Sequence, residues 1–219
     1  MPLTSHLVRL PSAGLLLIQL LGILLYPLLE DLHQGRALLS AFGVVVLAAA
    51  LRMVRRSPAV VWIAVVLAAL ILALMLTSVL APAPLPALLL AALEGSFYLY
   101  AAGSLIAYMM EDQRATTDEL FAAGATFTLL AWAFAYLFMV CQMLNPGSFG
   151  AQLDPQAPRT WMELLFLSFT TLSGVGLGDI LPLTPMARSL VMLEEFSGVM
   201  YIALVVSRLI GLTIASRRP

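Results

Sequence analysis

The chain has 219 residues, 62% of them apolar and only 11% charged, with a formal net charge of −1. A soluble domain of this length is expected to be roughly half apolar, so this composition excludes a sizeable water-soluble domain and makes lipid the natural solvent. The near-zero charge singles out no acidic or basic macromolecule, and no nucleic-acid partner is expected.

A spanning helix needs about 20 apolar residues, and the runs can be taken in order. The first covers Ala13 to Leu29 and stops at Glu30-Asp31. It continues too far after Arg9, and leads too directly into further runs, to be a cleavable signal. The second extends from Ala37 to Val54 and closes with Arg52, Arg55 and Arg56; the third follows Pro58 and reaches Leu80. Pro82, Pro84 and Pro86 predict a turn there, since proline blocks helix continuation. The fourth run is Ala87 to Met110, and the polar linker Glu111 to Glu119 precedes a fifth from Leu120 to Leu144. Asn145-Pro146-Gly147 breaks the chain, a polar stretch leads to Thr160, and a final run spans Ala187 to Ala215.

All eleven basic residues are arginine. Counted near span ends, Arg9, Arg52, Arg55, Arg56, Arg114, Arg208, Arg217 and Arg218 share one side of a six-span chain, and Arg36, Arg159 and Arg188 the other. This bias predicts that both termini are cytoplasmic and that the 145–187 connection begins and ends on the outer face. Within it, Trp161 to Leu172 is apolar yet too short to cross at about 1.5 Å per residue. Thr160 with Glu163 forms a capping-box start. A glycine-rich stretch follows, and irregular backbone at membrane depth survives only when buried in protein or lining a water-filled path. The organisation predicts a re-entrant pore loop.

The residues Ser168-Phe169-Thr170-Thr171-Leu172-Ser173-Gly174-Val175-Gly176-Leu177-Gly178-Asp179 resemble the pore signature of potassium channels, in which backbone carbonyls line the filter. Thr116-Thr117-Asp118-Glu119-Leu120, the Asn145-Pro146-Gly147-Ser148-Phe149 turn, Leu193-Glu194-Glu195 and the run Ser207 to Gly211 resemble a bacterial potassium-channel pore domain, so the likeness covers about Asp112 to the C-terminus. It implies an all-α membrane protein of six transmembrane helices plus a re-entrant pore helix and filter loop, assembled as a homotetramer. Residues 1–111 would be a four-helix membrane module. Residues 112–219 would be the pore domain, with outer helix, pore helix 160–172, filter 173–179 and inner helix 187–215.

The resemblance further implies K⁺ held by carbonyls of Gly174, Val175, Gly176 and Leu177, with Gly178 shaping the outer mouth. Ser173, Thr170, Asp179 and Glu194 would support the filter, and Gly198 would be an inner-helix hinge or a close-packing site. Lipid and permeant K⁺ are the expected partners, no cofactor is expected, and the plasma membrane of a bacterium is the expected location. Two residues depart from the family: Gly174 stands where threonine usually adds a hydroxyl, and Leu177 where tyrosine usually buttresses the filter. These departures leave a weakly selective monovalent cation channel, or a non-conducting sensor or scaffold, as alternatives.

Between Ala87 and Met110 there is no basic residue. Moving charge through the membrane field supplies about 2.3 kcal/mol per charge per 100 mV, so this voltage-gated-like architecture lacks a charged sensor. No cytoplasmic ligand-binding domain is expected after the last run. Glu94 is the only ionisable residue well inside the fourth run; a proton- or cation-linked role stands against that of a residue meeting a water crevice. Glu111, Asp112, Asp118 and Glu119 are expected on a solvated, helix-starting stretch, and Arg208 at lipid or at the linker between the fourth and fifth runs. Cys141 can form no internal disulfide and is expected as a small apolar group. His6 and His33 are too far apart for a metal site or a catalytic pair, so an enzyme is not expected.

Overall fold

The computed structural model describes residues 10–30, 35–55, 57, 59–80, 84–111, 116–151 and 157–215. Helices dominate: α1 Pro11–Glu30, α2 Gly35–Val54, α3 Val61–Leu80, α4 Pro84–Glu111, α5 Thr117–Leu144, α6 Trp161–Leu172, α7 Pro185–Met200 and α8 Ser207–Ala215. A π-helical turn, Tyr201–Val206, joins α7 to α8. Among the described residues, four segments are long and apolar enough to cross a membrane: Pro11–Leu28, Leu85–Glu111, Thr117–Leu144 and Pro185–Ile214. Phe42–Val54, Val61–Thr77 and Trp161–Leu172 are shorter apolar stretches.

Pro84 and Pro86 are placed differently from the sequence expectation, and Pro82 lies outside the described residues. Helix α4 begins at Pro84 and carries Pro86 in its first turn. Proline is tolerated there because the first N–H groups of a helix have no intrahelical partner. The same preference puts Pro11 and Pro185 at helix starts.

A short two-stranded ribbon accompanies the helices. Phe149–Ala151 (β1) and Ile180–Pro182 (β2) pair antiparallel, with Phe149 opposite Pro182 and Ala151 opposite Ile180. Leu183 N–H extends the ribbon by donating to Ser148 O at 2.8 Å. Three residues per strand are too few for an alternating pattern to appear.

Helix α5 is the hub. It packs most extensively on α4 and also contacts α1, α6 and α7. Its small residues Ala122, Ala125, Ala131, Ala133 and Ala135 are fully buried, which lets neighbouring backbones approach closely, as small residues do in membrane bundles. A second apolar cluster gathers Phe134, Phe138, Cys141, Phe149, Leu164, Leu167, Ile180 and Ala187. It fastens the ribbon to α5, α6 and α7, and Cys141 is buried in it.

The carboxylates at the start of α5 are also corrected. Thr116 and Glu119 form a reciprocal capping box, and Glu119 is buried. Asp118 accepts from the Ser12 N–H at 3.0 Å and from its hydroxyl at 2.8 Å, so it ties α1 to α5 instead of facing solvent. The T-x-x-E spacing at 116–119 was the available signal. Asp112 and Arg114 lie outside the described residues.

Candidate ion-conduction site

Helix α6 has the bounds its sequence predicts. Thr160 Oγ1 accepts from Glu163 N–H at 3.2 Å, and Glu163 accepts from Thr160 N–H at 2.7 Å. Arg159 forms an ion pair with Glu163 at 3.2 Å. The Gln142 side-chain amide donates to Arg159 O at 2.9 Å and accepts from Arg159 N–H at 2.7 Å. This two-bond clamp fixes the start of α6 to the end of α5. Sequence reading missed it; the signal was a lone amide in the apolar run of α5.

At the other end of α6 the chain folds back on the helix. Val175 N–H and Gly176 N–H donate to Thr170 O at 2.9 and 3.0 Å, and Gly174 N–H donates to Thr171 O at 2.9 Å. Ser173 Oγ also donates to Thr170 O, at 3.2 Å. The carbonyls that every helix leaves open at its C-terminus are thereby occupied by donors of the glycine-rich segment. Gly174, Gly176 and Gly178 have φ of 74°, 56° and 74°, the left-handed region in which an L side chain crowds its own backbone. Val175 and Leu177, between them, are 63% and 62% exposed.

Supporting residues divide into two groups. Thr170 is buried, and its hydroxyl donates to Leu167 O at 2.9 Å. Asp179 is exposed and accepts from Ile180 N–H at 3.0 Å; these two side chains act separately. Glu194 is fully buried, and its carboxyl and Ala131 O, the latter at 2.8 Å, share the single hydroxyl proton of Ser168. Glu194 therefore grips α6 one turn before its end rather than the glycine segment itself. Its other oxygen, Oε2, has no hydrogen-bond partner among the described residues. Ser168→Ala should leave that buried carboxyl without its one hydrogen bond and lower stability by about 1–3 kcal/mol, read as thermal unfolding in detergent.

Gly198 is buried against the end of α6. A Cβ built on it would overlap Leu172 O and lie 2.8 Å from Leu172 C. The helix is regular at this point, and the departure from α-helical bonding falls at Tyr201–Val206. Tyr201 donates to Ala123 O at 2.7 Å, and Arg208 donates to Met109 O at 2.6 Å, close to the end of α4. Arg208 thus meets the end of α4, and the linker residues 112–115 lie outside the described residues. Outward, α7 presents Met192, Phe196 and Val199, each about three-fifths exposed.

A short apolar helix, a folded-back segment of alternating glycines and a long exposed helix stand side by side here. Residues 97–214 match the model of a family described as ion channel. The chain belongs to this ion channel family. The channel is a multi-pass membrane protein, and its matched region runs from within α4 to α8. Neither the curated proteins nor the solved structures contain a match to it.

Proposed function

We propose that four copies of this channel surround a common axis and conduct K⁺ passively through a filter formed by residues 173–179. The observation that carries this reading is the alternation of left-handed glycines at 174, 176 and 178. A left-handed residue at every second position turns successive carbonyls toward one side. The N–H groups of Gly174, Val175 and Gly176 are already engaged by the end of α6, so the carbonyls of Gly174, Val175, Gly176 and Leu177 are the groups left to replace an ion's hydration shell. One protomer offers one oxygen per level. Rings require copies, and the exposure of Val175, Leu177 and the outward face of α7 is the surface such copies would cover.

In this reading α1 to α5 and the continuous α7–α8 segment make six spans, α6 is the pore helix, and α7–α8 is the inner helix. Helices α2 and α3 have 20 residues each, about 30 Å of rise, which suits the hydrocarbon core. The arginine bias supports cytoplasmic termini, and the resemblance to bacterial channels supports a bacterial inner membrane. Inner-helix bending would fall at the π-helical turn Tyr201–Val206, since widened turns of this kind recur at functional sites.

A weakly selective cation pore is the second reading, and Gly174 is what favours it, because no hydroxyl ring can stand at that level. Flux from liposomes containing the purified channel, with K⁺ or Na⁺ as the only gradient, decides. Faster K⁺ flux from a cross-linkable tetramer is the expected result. Equal flux supports the second reading, and a silent monomer overturns both. Restoring threonine at position 174 is not a clean alternative test, since φ there is 74° and a β-branched residue is strongly disfavoured in that region.

A further inference from the structure

A second site lies away from the glycine segment. A cavity of about 340 Å³ opens among α1 to α5 and the start of α6, within the size range of small-molecule pockets. All its walls come from the half of the bundle where α1, α3 and α5 end and α2 and α4 begin. Five rings, Tyr26, Phe42, Trp132, Tyr136 and Trp161, share these walls with one carboxylate, Glu94. Trp161 sits at the centre of the aromatic group, 5.2 Å from Tyr26, 5.4 Å from Trp132 and 5.8 Å from Tyr136 between ring centroids.

Glu94 lies on α4, ten residues from Pro84, about 15 Å along the helix. Glu94 and Tyr136 line the cavity together. Among the described residues no arginine pairs with Glu94, and the chain has no lysine. A carboxylate at such depth is costly unless matched. The faces of the surrounding rings are also electron-rich, so the cavity favours a positive charge from both kinds of wall. It rejects an anion for the same reason. A bare metal cation would need several oxygens, and the described walls offer one carboxylate and two phenols; the remaining lining is apolar or aromatic. An alkylammonium matches this mixture, with its head on Glu94 and the rings and its carbon chain on the apolar wall.

We propose that this cavity is a binding site for an amphipathic organic ammonium, held by Glu94 and the aromatic cage of Tyr26, Trp132, Tyr136 and Trp161. The site does not depend on permeation. Its ligand is either a free amine or the amine headgroup of a lipid, both of which present the same chemistry.

The full-length channel can be tested in lipid nanodiscs with Trp62→Phe as background, since Trp62 is an exposed residue near the opposite end of α3. Trp132 and Trp161 then report through their fluorescence. Hexyltrimethylammonium is expected to change that fluorescence saturably, and 1-hexanol, its neutral counterpart, is not. Glu94→Gln should weaken cation binding by about tenfold or more, and Trp161→Leu, read by Trp132, by a smaller factor, both with unchanged helical circular dichroism. If the natural source is a lipid headgroup, nanodiscs of phosphatidylethanolamine will lower the apparent affinity relative to nanodiscs of phosphatidylglycerol; equal affinity identifies a free amine. Equal responses to the cation and to hexanol would overturn the proposal. So would undiminished cation binding in a folded Glu94→Gln channel or, if that variant misfolds, in a folded Trp161→Leu channel.

Discussion

Gly176→Ala is expected to abolish K⁺ flux while leaving the helices intact. Gly176 has φ of 56°, and a methyl group added to it would meet nothing within 4 Å beyond its own chain neighbours, so crowding by other residues is not the cause. The cost is conformational, about 1–2 kcal/mol for an L residue in the left-handed region. In a tetramer it would be incurred four times around one axis, roughly 4–8 kcal/mol. A segment held to α6 by three backbone bonds and the Ser173 hydroxyl can escape that strain by flipping a peptide, which would turn a carbonyl away from the axis. Gly147→Ala is the control. Gly147 has φ of 81° and equally open surroundings, but it lies in the turn after α5. That variant should lose comparable stability per chain and retain flux. If Gly176→Ala conducts as well as the parent channel, the carbonyl filter is the wrong account.

The second large effect is expected at Gly198. Alanine there would press a methyl group onto the Leu172 carbonyl, overlapping its oxygen and standing 2.8 Å from its carbon, and both contacting groups are backbone. No rotamer change can relieve the contact, so α7 or the end of α6 must shift. Overpacking usually costs about 1–3 kcal/mol and occasionally more; a backbone-on-backbone contact belongs at the upper end. Loss of both thermal stability and flux is expected. Gly103→Ala, on an exposed face of α4 with nothing within 4 Å, should be neutral or slightly stabilising, because alanine is the better helix former. A Gly198→Ala channel as stable as the Gly103→Ala one would show that α7 does not press on Leu172 in the membrane.

These two glycines also show what the sequence could and could not disclose. The glycine-rich segment was legible because its spacing is unusual and because a short apolar stretch with a T-x-x-E start precedes it. Thr160, Glu163 and Leu172 fall where that pattern put them. Gly198 was ambiguous, since a helix glycine is written identically whether it bends or packs. Only the position of Leu172 O distinguishes a packing contact. The apolar runs located α1 to α5, with ends displaced by a few residues wherever proline or a capping threonine opened the first turn. Neither the ribbon nor the π-helical turn was legible. The first is too short for periodicity, and the second is a change of hydrogen-bond partner that leaves residue types unaltered. The aromatic cage was hidden differently, because its rings come from distant segments that meet only after the bundle closes.

The small ribbon has a mechanical meaning. Pairing of Phe149–Ala151 with Ile180–Pro182 brings together the two ends of the segment that contains α6 and the glycine-rich stretch. That segment is thereby closed like a ring, and much of the entropy of bringing its ends together is lost with the ribbon rather than with the arrival of ions. A pull on the chain after Asp179 is delivered through β2 to β1 and the end of α5, not along the backbone into α7 alone. The Asp179 end of the glycine segment is thus anchored to the hub of the bundle, while the Leu172 end from which it departs rests on α7 through Gly198. Displacement of α7 would strain this segment from one side only.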